Sequence, residues 1–159
     1  MNDKEFGTLR FGQFICVLLG VTGLIGFLLL VLMPDSLTQS KFTHQYIIDY
    51  ANYQFEFVLA HILLVIFELS AVGLISFFYL LVRPKNHAFV FFISLLGAYG
   101  SFLGALSHLS LIVYLGRVSD FFLQAPEVVQ QTLLHIGMPN YDQQLFMVGL
   151  PALWWLGTS

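Results

Sequence analysis

Residues 57–117 read FVLAHILLVIFELSAVGLISFFYLLVRPKNHAFVFFISLLGAYGSFLGALSHLSLIVYLGR. Two long apolar runs flank one short basic turn, Arg83-Pro84-Lys85. Between Glu56 and Arg83 lie 26 residues whose only charge is Glu68, and between Lys85 and Arg117 lie 31 with none. Crossing about 30 Å of hydrocarbon takes about 20 helical residues. Apolar side chains surround each run on all faces, so the two-residue alternation of a barrel strand is absent. A helix satisfies its own backbone hydrogen bonds in lipid, and the stretch reads as a membrane-embedded helical hairpin.

The rest of the chain extends this pattern. Between Arg10 and Asp35 there are 24 uncharged residues, and 17 more run from Gln143 to Ser159. The expectation is an all-α polytopic transmembrane bundle forming one domain over 1–159. Three full spans fall at about 11–33, 57–82 and 88–115, and a partial fourth at 143–159. The fourth apolar stretch, 145–157, is short and contains Pro151. A chain truncated inside its fourth span accounts for it. The alternative is a re-entrant half-helix with Trp154 and Trp155 at a headgroup belt.

Composition agrees. The chain has 159 residues, of which 9% are charged against about 25% in soluble domains, and its mean hydropathy is +0.83. This excludes a cytosolic globular domain and a disordered segment. A net charge of −3 also argues against a nucleic-acid partner; the partner expected is the lipid bilayer. The first run is longer than the 7–15 residues of a signal-peptide core and leads into Met33-Pro34-Asp35, not a cleavage site. Cys16, the single cysteine, has no internal disulfide partner and reads as a small packing residue.

Orientation follows Lys and Arg. Lys4 and Arg10 precede the first span, and Arg83 and Lys85 fill the tight turn, against Lys41 and Arg117 in the two longer connections. The positive-inside rule places the N-terminus in the cytoplasm of a multi-pass cell-membrane protein, with loops 34–56 and 116–142 outside. In the first loop Phe42, Tyr46, Tyr50, Tyr53 and Phe57 share one helical face. That stripe suits either a helix at headgroup level or an amphipathic helix packed on the bundle. In the second, Pro126 opens and Gly137 closes a short helix bearing Val129, Leu133 and Ile136. Both loops are expected to hold short interfacial helices.

Small residues mark helix packing. The third span carries Gly97, Gly100 and Gly104; the first carries Gly12, Cys16, Gly20, Gly23 and Gly26. Such residues let backbones approach where lipid supplies no hydrophobic drive. Packing within one chain is the plain reading, and a homo-oligomer through Gly100/Gly104 the alternative.

Ionisable residues inside a span are functional candidates by default. Here they are His61, Glu68 and His108. His61 and Glu68 are seven residues apart, on one face and roughly 10 Å apart along the axis. Ser94, Ser101 and His108 step by seven on the third span. Folding the hairpin about Lys85 brings residues equidistant from the turn to one depth: His61 with His108, Glu68 with Ser101 and, more weakly, Ser76 with Ser94. One reading is a structural polar seam. The other is an outward-facing pocket for a proton, cation or small ligand at His61, Glu68, Ser101 and His108. A haem or metal site is disfavoured, because no HxxxH or HxxE pair occurs, and no metal or other cofactor is expected. Walker, GxSxG, HExxH and dinucleotide motifs are absent as well.

The run Tyr79-Leu-Leu-Val-Arg83-Pro84-Lys-Asn86, the small-residue-rich span after it, Phe121-Phe-Leu-Gln124 and the closing Leu-Trp-Trp-Leu-Gly157 resemble an uncharacterised bacterial multi-pass membrane protein family, domain of unknown function 4386. The resemblance covers about 8–159. It implies a longer protein with further spans, and it brings no activity or site residue with it. The function expected is that of a non-enzymatic membrane protein with a structural seam, or else a transporter or channel-like protein.

Overall fold

The computed structural model describes residues 3–38, 43–82 and 87–136. Every regular element among them is a helix: α1 (Asp3–Val31), α2 (Asp35–Thr38), α3 (His44–Asn52), α4 (Gln54–Val82), α5 (His87–Gln124) and α6 (Glu127–Ile136). Three of these, α1, α4 and α5, are long and apolar enough to cross a membrane. Phe42, the basic turn at 83–86, Gly137 and the expected fourth span at 143–159 lie outside the described residues.

The helix α4 lies in the middle, packed along α1 on one side and α5 on the other. Glycine lets α1 approach. A Cβ on Gly23 would sit 2.6 Å from the Phe67 ring, and one on Gly12 would sit 2.6 Å from Phe77, so each ring occupies space that a missing side chain leaves. Ile15 returns the arrangement by packing on Gly73 of α4. Gly20 and Cys16, expected among the packing residues, do not pack against another of the described helices. Gly20 has no neighbour within 4 Å of its Cβ position among the described residues, and Cys16 is exposed. The four-residue steps from Gly12 drift off the contact face because the helix repeats every 3.6 residues. The outward faces of α1 and α5 are large and apolar, with Phe14, Val17 and Leu24 on one and Phe92, Leu95 and Phe102 on the other, as contact with lipid tails requires.

At 38 residues, α5 measures about 57 Å at 1.5 Å per residue, nearly twice the hydrocarbon thickness. The third span was expected to end near residue 115, ahead of Arg117. A charge ends a span, but it does not end a helix. No proline intervenes before Pro126, the helix runs through Gly116, and the Gln130 side chain then donates to the Phe122 and Ala125 carbonyls at 2.9 and 3.0 Å, adding partners at the helix end.

The overhang of α5 carries a cap. Thr43 caps α3 by accepting the Tyr46 N–H at 3.2 Å. Ser36 of α2 donates to the Asp49 carboxylate of α3, and so does Gln45. The aromatic stripe turns inward: Tyr46 and Tyr50 are 1% exposed and Phe57 0%, while Tyr53 at 40% points away. Tyr50 meets Phe57 edge to face at 5.2 Å, and both join Leu111, Leu115 and Phe122 of α5 in the main buried cluster. Of the two readings of the stripe, the packed amphipathic helix is the one found.

Two outcomes test this packing. Gly23→Leu should destabilise the reconstituted protein by about 1–3 kcal/mol through overpacking, whereas Gly20→Leu should be neutral or mildly stabilising because it improves helix propensity; unfolding in mixed micelles reads both. The Tyr50 hydroxyl is buried without a well-formed hydrogen bond. Burial pushes it above the ordinary tyrosine range, a weak interaction with Gln54 opposes the shift, and the Asp120 charge adds to it. The fold thus favours the neutral phenol. The associated stability is complete below the unfolded value of about 10 and is lost as pH rises through the folded one. Tyr50→Phe should remove that alkaline loss in a pH-dependent melt and leave neutral-pH stability the same or higher.

Candidate functional site

The polar residues of the spans lie along the contact between α4 and α5. Small side chains make this contact close: Ser94, Gly97, Gly100, Ser101 and Ala105 are all buried on α5. Glu68 of α4 enters here. A Cβ on Gly104 would sit 2.9 Å from both the Glu68 carboxyl carbon and its Oε1, so the carboxyl rests in the notch that this glycine leaves. Ser101, 1% exposed, interacts with it through its side chain. The expected Glu68–Ser101 rung is therefore present, and Gly104 serves contact within the chain. A second copy pairing through Gly104 would have to displace Glu68.

Seven residues toward the cap, the His61 and His108 rings meet edge to face at 5.3 Å. This is the rung that equidistance from the turn predicted. His61 is 5% exposed and stacks on Phe57 at 4.0 Å. Its Nδ1 lies 3.0 Å from the Phe57 carbonyl. A carbonyl only accepts, so Nδ1 carries the proton and Nε2 of the neutral ring is left as an acceptor. His108 makes no hydrogen bond with the described residues. The third rung does not form: Ser76 turns outward and donates to the Val72 carbonyl at 2.9 Å, while Ser94 is buried on α5.

The histidine rung opens into a cavity of about 510 Å³ between α1, α2, α4 and α5. Its polar wall consists of His61, His108, Asp35 and Thr38, and its apolar wall includes Phe27, Leu30 and Leu111. Glu68 and Ser101 do not reach it. The four residues expected as one site thus divide into a carboxyl–hydroxyl pair outside the cavity and a histidine pair that lines it.

Asp35 and Thr38 escaped the sequence reading, which assigned them to a loop. Pro34 before Asp35 is a helix-start pattern, since proline suits the first turn and an acid the N-terminus. That signal marks α2, though not its return to the α1 end. Among the described residues, no group of three or more His, Cys, Asp or Glu is gathered closely enough to hold a metal ion.

No protein-family model, curated protein or solved structure matches the chain.

The notch predicts a specific coupling. Gly104→Ala should cost about 1–3 kcal/mol by pressing on the carboxyl, and Glu68→Ala should relieve most of that. A double-mutant cycle on unfolding free energy should give a coupling of about 0.5–3 kcal/mol; strict additivity would show that the two residues do not touch.

Proposed function

We propose that this is an integral membrane protein that binds a small molecule in the cavity at the histidine rung, with the Glu68 rung serving to hold α4 on α5. The observation that carries this reading is a cavity of about 510 Å³ whose wall includes two histidines with unused hydrogen-bonding capacity. Ligand sites are of this size and kind, mostly apolar with a few convergent polar groups. The reading is non-enzymatic at this site, where the residues argue for recognition. Binding with release to one side of the membrane is the first half of a transport cycle, and this protein fits that role.

A purely structural seam is the second reading. It is favoured by the fit of Glu68 to Gly104 and Ser101, and it describes that rung. It leaves His108 and the cavity without a role.

The positive-inside distribution of Lys4, Arg10, Arg83 and Lys85 sets the N-terminus in the cytoplasm and the cavity mouth outside. One experiment tests access and sidedness together. In a Cys16→Ser background, His108→Cys should react with a membrane-impermeant maleimide added outside, several-fold faster than Ser101→Cys. Reaction only from the cytoplasmic side would reverse the orientation. Reaction of His108→Cys no faster than Ser101→Cys would remove the pocket.

A further inference from the structure

We infer that the ligand of this cavity is a small organic ammonium carrying an apolar tail. The inference rests on the pocket reading above and adds the chemical class. It comes from the direction of the hydrogen bonds already made in the wall.

The Thr38 hydroxyl donates to the Asp35 carbonyl at 2.9 Å, so its oxygen has only lone pairs left to offer. The His61 ring donates through Nδ1 to the Phe57 carbonyl at 3.0 Å, so the polar atom it still offers is Nε2, an acceptor. Asp35 contributes a carboxylate, which only accepts. Every polar group in the described wall whose role is fixed is therefore an acceptor, and His108 can serve in either role. No Lys or Arg stands among the described lining residues. A wall of acceptors with a carboxylate and no cation rejects anions and leaves uncharged acceptors unpaired. It suits a ligand that donates several hydrogen bonds and carries positive charge.

Two further observations narrow the class. An inorganic ion is disfavoured because Asp35, His61 and His108 are not gathered into a metal-binding group. The remaining wall, from Phe27, Leu30, Val31, Leu37 and Leu111, supplies a surface that a hydrated ion would not use. Asp35 is exposed at the mouth while His61 is buried. The charged head accordingly has an acceptor on the way in and a second one in the interior, and aliphatic side chains flank its tail.

The test compares three molecules of one shape with the protein in nanodiscs: phenethylammonium, phenethyl alcohol and 3-phenylpropionate. Thermal stabilisation should be largest for phenethylammonium and absent for phenylpropionate. Asp35→Asn should weaken phenethylammonium binding about tenfold or more, as loss of a charged hydrogen-bond partner does, and leave the alcohol unchanged. Thr38→Val should weaken it less. Phenylpropionate binding as tightly as phenethylammonium, or an unchanged ammonium response in Asp35→Asn, would overturn the inference. So would no response to any of the three in a protein whose His108→Cys variant reacts with maleimide, and in each of these cases the pocket itself would stand. Failure of that maleimide reaction removes the pocket reading instead, so the two failures are distinguishable.

Discussion

A carboxyl group within an apolar helix pair has few places to go, and Glu68 occupies one. It lies on the bare backbone of Gly104 and interacts with the Ser101 side chain. Lipid provides no competing partner, so a buried polar group is held wherever the protein satisfies it. Interhelical bonds of this kind average only about 0.6 kcal/mol. Their value is positional: a shift of α5 by one turn would separate the carboxyl from both its notch and Ser101. With that register set, His61 stands opposite His108, and the cavity takes its place at the end of the seam.

The inner face of α5 follows the same logic along its length. It is small where α4 must come close, at Ser94, Gly97, Ser101 and Ala105, and large where α3 covers it, at Leu111, Leu115 and Phe122. The most deeply buried aromatic packing is therefore in the cap and not halfway along the spans. Phe57 links the two regions. It closes the cap cluster with Tyr46 and Tyr50, and through its ring and its carbonyl it fixes both the plane and the tautomer of His61. Cap packing and the chemistry of the cavity wall are coupled through this residue.

Much of the hairpin is legible in the sequence, because depth in a helical pair is a counting problem. Residues equally far from a tight turn come level, and two of the three rungs found that way are present. The third failed for an angular reason, since Ser76 lies around the helix from Glu68 and its hydroxyl turned to its own backbone. Gly20 failed likewise, since eight residues from Gly12 carry it about 80° around the helix from the contact face. The overhang of α5 was invisible because charge was read as the end of a helix when it marks only the end of a span. The inward turn of the tyrosines was undecided because an aromatic stripe fits a headgroup layer and a protein core equally well.

The sequence by itself determined that the chain is helical, that three helices can cross a membrane, and which ionisable residues must answer to one another across α4 and α5. Spacing and hydropathy suffice for this, because backbone hydrogen bonding in lipid leaves few alternatives. Only the tertiary structure decided which of those residues face a cavity. Asp35 and Thr38 reach it through the return of α2, while Glu68, seated against Gly104, does not line it. Both depend on contacts between residues far apart in the chain, and periodicity within any one helix does not encode them.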